Sequence, residues 1–388
     1  MDCPFRIMVF DGAFRRRGWI GAPTALTATV RHNALSVADV TIPADHPRVG
    51  DVMTPGARLV IDYDGRHLLS GPIVRRSGVG PRVTSTITLT VEDDWRVLAR
   101  TLGWPNPNGP ITAQGAASAY DRVKGPAETV VKHFAAVNFA RLRRPVNVAS
   151  DLGRGDTVDV QMRMHPLTDR LFPAVDLAGI GVTVRQEGAG LTLDCYTPTV
   201  RKRVVSEETG ALVGWEWSDT APGCTRVVVG GAGEGTAREF TSVVDTERET
   251  VWADVGEEFR DARDVGGDTT NEDGETVELP AAEVEALLRA RGEERLTEAA
   301  PTTGLSLTLA ESQGWRYGRH VNVGDTVTVA VGGGVTVTDI LREASLTWTA
   351  DQGVDVTPVV GARTDDPDTA LRRAVNDIAR GLRALRTR

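Results

Sequence analysis

Apolar and polar residues along much of this chain change places at every second position, which is the period of a half-buried strand. Residues 86–91 read Thr-Ile-Thr-Leu-Thr-Val, so Ile87, Leu89 and Val91 share one face and three threonines the other. Residues 326–331 and 345–349 repeat the pattern. Residues 59–63 and 66–74 flank Asp64-Gly65, a dipeptide that tolerates the positive φ angles of a two-residue hairpin. The first 100 residues therefore predict a module of strands, closed by Trp95, Val97 and Leu98 in a short helical or extended tail.

A helical period takes over in only a few places. Pro126 opens one segment whose apolar side is Val130, Val131, Phe134 and Val137. Residues 167–177 predict a second helix, ahead of a hairpin at 181–186 and 191–196. Residues 102–115 carry three prolines and two asparagines, which no regular element survives, so a boundary falls there. A small α+β domain is expected over residues 101–199. Strand formers return over 200–245, with Trp215 and Trp217 two positions apart, and again over 305–362, with a turn at 332–334. Between them, residues 246–304 carry a polar loop at 266–275. Their helix spans 281–299, with Val284, Leu287, Leu288 and Leu296 on one side.

Residues 363–388 predict a C-terminal helix, with Pro367 near its start and arginines crowding its end. Leu371, Val375, Ile378, Leu382 and Leu385 are spaced 4, 3, 4, 3, which is a heptad seam. Three heptads interrupted by Gly381 are marginal alone. The segment either packs on its own domain or gathers several chains, and its five apolar residues are the candidate docking positions. The expected class is α+β, mainly β.

Composition changes this picture little. With 40% hydrophobic and 25% charged residues, the chain is ordinary globular material. No apolar run is long enough to span a bilayer or serve as a signal-peptide core. Cys3, Cys195 and Cys224 are odd in number and widely separated, which suits reduced, buried thiols. The net charge of −9 is concentrated: residues 245–285 hold fifteen Asp and Glu against three Arg. Such a segment is a solvated face or loop, or a surface that turns nucleic acid away.

Candidate chemistry is sparse. The stretch 225–240 ends a strand in Gly230, Gly231, Gly233 and Gly235, but a dinucleotide fingerprint from Gly231 would need its third glycine where Thr236 stands. No Gly-Lys-Ser/Thr follows, and residues 237–245 favour strand. The glycines are therefore expected to join two antiparallel strands. The six histidines never fall at metal-ligand spacing. Carboxylates abound without a diagnostic pair, so neither catalytic, cofactor nor metal residues are assigned. A cell-wall glycan hydrolase, or a carbohydrate-binding tail protein using Trp215 and Trp217, remains the alternative.

Several segments, in order, resemble tail-hub proteins of siphophages, in particular minor tail proteins of actinobacteriophages. They are "LVIDYDGRHLLSGPIV", "TLTVEDDWRVLARTL", "RVVVGGAGEGTAREF" with "SVVD", "YGRHVNVGDTVTV", and "REASLTWTADQGVDVTPVVG". The resemblance implies two tail-tube-like β-barrel modules per chain, residues 1–100 and residues 200–245 with 305–362, and an insertion at 246–304. It also implies a homotrimer whose six barrels face the six-fold tail tube. Implied partners are the distal tail protein, the tape measure protein and other tail-tip proteins, with phage DNA only passing through the channel. The implied place is the distal end of the tail in the virion, with no enzyme activity and no cofactor.

Overall fold

The N-terminal alternation becomes seven strands: Phe5–Phe10, Arg16–Ile20, Ala25–Arg31, Val37–Pro43, Arg58–Tyr63, Arg66–Val79 and Thr86–Glu92. The structure is a computed structural model describing residues 3–81, 84–114, 120–263, 265–266, 268–270, 276–278, 280–309, 315–331 and 335–360. In space the seven strands run third, fourth, seventh, sixth, fifth, first and second, every pair antiparallel. The expected hairpin at Asp64-Gly65 is present, with φ of 47° and 77° at the two turn residues. The inward side chains Ile7, Val9, Leu26, Val40, Leu59, Ile61, Leu89 and Val91 are fully buried, as the period of two demands.

Strand Arg66–Val79 changes partner midway. It pairs with Arg58–Tyr63 as far as Pro72, then with Thr86–Glu92 from Ile73 onward. Gly71 stands at that crossing, where a Cβ would lie 1.8 Å from the Glu92 carbonyl oxygen.

The α+β domain follows. Pro126 caps helix Ala127–Arg141, and helix Leu167–Val175 stops two residues short of the expected end, where Leu177 is exposed. Val130, Val131 and Phe134 are buried as expected, whereas Val137 is only half-buried. Strands Asp121–Pro126 and Thr157–Met162 form one ribbon; Gly181–Glu187, Gly190–Tyr196 and Val146–Val148 form a second sheet. Trp95 and Leu98, from the tail of the first module, enter the same core as Phe134, Leu167 and Leu193.

Strands from 200–220 and 302–360 join the same sheet as the N-terminal strands. Val200–Ser206 runs parallel to Thr326–Val331, which pairs with Val335–Thr349. The latter pairs with Gly353–Val360 on one side and with Ala25–Arg31 on the other, Leu346 opposite Ala28. Leu212–Thr220 and Thr302–Leu309 continue the strand order. Among the described residues this order is open.

The chain divides into two compact units: Met1–Glu216 with Ser306–Val360, and one containing Trp217–Leu305. In the second, Arg226–Gly230 is the centre of a three-stranded sheet, antiparallel to Phe240–Val244 and parallel to Glu257–Asp261. Helix Ala281–Glu298 covers one face, burying Val227, Val229 and Val243 beneath Val284, Leu288 and Leu296. Leu287, expected with them, is 45% exposed. Gly292 lets helix and sheet approach, for a Cβ there would meet Val243 at 2.6 Å. The hairpin 226–244 thus shares a core with the insertion, because Val227 and Val229 need the helix to cover them. The loop expected at 266–275 contains a short strand, Asp268–Thr270, which pairs with Thr276–Glu278 in a small hairpin.

Candidate assembly surfaces and the polar junction

The first unit is held together by polar side chains reaching between its parts. The turn after Ala25–Arg31 puts Asn33 at a φ of 50°, a left-handed position that asparagine tolerates. Buried there, Asn33 donates to Asp176 Oδ1 at 2.7 Å and the Ile180 carbonyl at 3.0 Å, and accepts from the Val182 amide at 2.8 Å. His32 Nδ1 lies 2.8 Å from the Tyr196 hydroxyl. Arg58 donates through one nitrogen to both Asp94 oxygens, at 2.6 and 2.7 Å, and through another to Gln186 Oε1 at 3.0 Å. Ser70 donates to Asp94 at 2.7 Å. Strand-module residues thus dock against the hairpin 181–196 through groups that are satisfied only while docked.

The α+β domain carries its own charged cluster. Glu128 has a fully buried side chain and accepts from Lys132 Nζ at 2.6 Å, from Arg154 Nη2 at 2.7 Å and Nε at 2.8 Å, and from the Arg154 amide at 2.9 Å. Lys132 also reaches the Ser150 carbonyl and Asp194. The Arg154 hydrogen bonds, with those from Lys132, hold the Glu128 carboxyl far below the usual range, against the opposing effect of burial. Nearby, burial pushes the Cys195 thiol up to about 12, so it stays protonated and inert.

Between these parts lies a cavity of about 410 Å³, lined among others by Tyr63, His67, Asp93, Tyr196, Tyr317 and Asp325. Its carboxylates serve the fold. Asp325 accepts from Arg201 and the Asn322 amide. Asp93 is raised to about 7, chiefly by burial, against hydrogen bonds from Ser36. One Asp93 oxygen is buried with no hydrogen-bond partner among the described residues.

A raised carboxyl has a defined pH signature. The folded chain keeps a proton that the unfolded chain loses near pH 4, so Asp93 costs stability as pH rises from about 4 to about 7, and the cost is constant above. At about 1.4 kcal/mol per unit, stability should fall by about 2–3 kcal/mol between pH 5 and pH 8 from this residue. Asp93→Asn should flatten that slope in urea unfolding at the two pH values. An unchanged slope would remove Asp93 as its source.

Two sheet margins are open to a neighbour. Among the described residues Arg16–Ile20 pairs only with Phe5–Phe10, and it carries exposed Arg16, Arg17 and Trp19, the indole 60% exposed. Asp11 holds Arg15 at 2.9 Å and Arg17 at 3.2 Å. Among the described residues Val200–Ser206 pairs only with Thr326–Val331, and its bulge between Val200 and Val204 exposes Lys202 and Arg203, while Arg201 is held by Asp325. Charged side chains and bulges along an edge discourage indiscriminate strand pairing, leaving it for a matched partner.

The glycine stretch 230–235 is a turn between antiparallel strands, as expected, with φ of 96° at Gly233 and 56° at Gly235. A phosphate would need free amides there. Instead the Gly231 amide donates to Glu239, the Ala232 amide to Val265, and Arg238 folds back onto the carbonyls of Gly230 and Gly231. The seam residues Leu371, Val375, Ile378, Leu382 and Leu385 lie outside the described residues, as do residues 332–334 and the Trp217 side chain; Trp215 is half-buried. The polar junction escaped the sequence, since Asn33, Asp94 and Glu128 stand in no motif; only Glu128 and Lys132, four apart on a helix, signal a pair.

The family model for Siphovirus ReqiPepy6 Gp37-like proteins matches residues 6–362. The chain belongs to that family. The Gp37-like chain shares its fold with solved phage tail proteins. One is the 43 kDa tail protein of prophage MuSo2 from Shewanella oneidensis, 14% identical, with a TM-score of 0.52 over 93% of this chain and 99% of that one. Another is the tail protein from Neisseria meningitidis MC58, 12% identical, with a TM-score of 0.51 over 94% and 99%. No curated protein matches the sequence. The siphophage resemblance read from the ordered segments therefore holds for family and fold.

Proposed function

We propose that this Gp37-like chain is a structural hub at the distal tip of a long non-contractile phage tail. Three copies form a ring that adapts the six-fold tail tube to three-fold tip proteins and lines part of the DNA-exit channel. The observation that supports this reading is the pairing of Ala25–Arg31 with Val335–Thr349, which joins strands from both ends of the chain in one sheet. Module one is residues 1–100; module two is residues 200–216 with 306–360. Two modules per chain and three chains supply six, and joining the open margins around a closed ring removes the free edges. The distal tail protein, the tape measure protein and further tip proteins are the partners, and DNA is met only in transit.

The hub works by shape, without turnover or cofactor. Of the two carboxylates lining the cavity, Asp325 is committed to Arg201, which supports a structural rather than a hydrolytic reading. Light scattering after size exclusion should give three times the 41.6 kDa chain mass. Trp19→Asp, on the open margin, should lower that mass and leave the fold unchanged by circular dichroism. A stable monomer that clears peptidoglycan would overturn the reading.

A further inference from the structure

Two helix ends bring arginines together within the first unit. Arg96 and Arg100 bracket the short helix Arg96–Ala99, while Arg141 and Arg144 lie at the end of helix Ala127–Arg141. Arg96, Arg100 and Arg144, with Arg58, line a second cavity of about 290 Å³, whose apolar wall is Pro72, Val97 and Leu191. The carboxylate in that lining, Asp94, is taken by Arg58 at 2.6 and 2.7 Å and by Ser70 at 2.7 Å. Arg96 is held by Glu92 at 2.9 Å. Arg144 donates to the Arg100 carbonyl at 2.8 Å. Arg141 donates to the Leu102 carbonyl at 3.0 Å, its guanidinium 4.1 Å from the centre of the Trp104 ring. Among the described residues, Arg100, Arg141 and Arg144 form no ion pair with a carboxylate.

Helix dipoles do not account for this charge. Two helix ends offer at most about one negative charge between them, so three guanidinium groups leave a surplus of about two. The crowding is felt: burial, and then the charges of Arg100 and Arg96, push the Arg144 guanidinium below its ordinary value, and burial with Arg144 does the same to Arg141. We propose that this cavity binds a phosphate dianion, either free or as the monoester of a small organic molecule. A phosphate monoester carries close to two negative charges near neutral pH and so offsets the surplus in one group, which a single carboxylate or a phosphodiester does not. Guanidinium groups present paired donors that match phosphate oxygens. Arg141 and Arg144 are already fixed by backbone carbonyls, so little side-chain freedom is lost when the ligand arrives. The apolar wall gives an organic substituent a surface to rest on. The site is complete within one chain and holds whether or not three copies form a ring.

Isothermal titration calorimetry on the full chain tests it at constant ionic strength, with inorganic phosphate and glucose 6-phosphate as probes and acetate as the monoanion control. Phosphate should bind at one site per chain. Arg100→Gln should weaken it at least about tenfold, since a hydrogen bond between two charged groups is lost. Arg100 is exposed and its side chain holds no other group among the described residues, so the variant should keep the parent's thermal midpoint in the absence of phosphate. Tighter binding of glucose 6-phosphate would support the site with its sugar against Pro72, Val97 and Leu191; equal or weaker binding would support it with free phosphate as the ligand. The proposal is overturned by the absence of heat with both probes, by binding that Arg100→Gln leaves unchanged, or by acetate that binds as well as phosphate.

Discussion

Gly71→Ala should cost the first unit more than about 4 kcal/mol, enough to leave much of the protein unfolded at 37 °C. The added methyl would sit 1.8 Å from the Glu92 carbonyl oxygen, 2.8 Å from its carbon and 2.9 Å from the Asp93 Cα. All three are backbone atoms, so no rotamer change relieves the clash. The displaced segment leads directly into Asp94, whose carboxylate holds Arg58 and Ser70. The substitution therefore forces two strands apart and unseats a buried ion pair. Thermal unfolding followed by circular dichroism should show a fall of at least about 8–16 °C, since about 1 kcal/mol moves the midpoint by roughly 2–4 °C in a domain of this size. A midpoint within a few degrees of the unaltered protein would contradict the close approach.

Glu128→Gln should cost about 3–5 kcal/mol, the range for removing one partner from a buried charged group. Glutamine keeps the shape of glutamate but leaves Lys132 and the Arg154 guanidinium without the carboxylate they converge on. Asp194, half-exposed, cannot replace it for both. The depressed carboxyl predicts the pH dependence. Stability from Glu128 is present above the unfolded pKa near 4.3 and is lost as pH falls through and below it. The variant should therefore match the parent more closely at pH 3 than at pH 7 in urea unfolding. A deficit of equal size at both values would show that the cluster contributes packing and little charge.

How much of this was legible in the sequence depends on range. Period-two alternation located residues 86–91 and 326–331, and Asp64-Gly65 gave its turn, because pleat and hairpin geometry are local. Pro126 marked a helix start for the same reason. Pairing between distant strands was not legible. Nothing in residues 25–31 announces residues 343–349 as their neighbour. The hairpin 226–244 was read with the second module because strand propensity is blind to which helix will cover Val227 and Val229. The polar junction was hidden too, for Asn33 and Asp94 acquire their roles only when the turn and the hairpin 181–196 meet.

Family and fold came from the order of several weak segments, each consistent with many β-proteins. Their order constrains far more, because it fixes which strands come before and after the α+β domain. The seam at 371–385 was legible as a pattern, but a heptad shows an apolar stripe and not what it touches.

Three-fold averaged cryo-electron microscopy of the assembled tail tip tests the central claim most directly. The account predicts three copies of this chain around the axis, with modules 1–100 and 200–216/306–360 alternating as six units against the tail tube. A tip map with one copy off the axis, or with six copies each offering a single module to the tube, would contradict it.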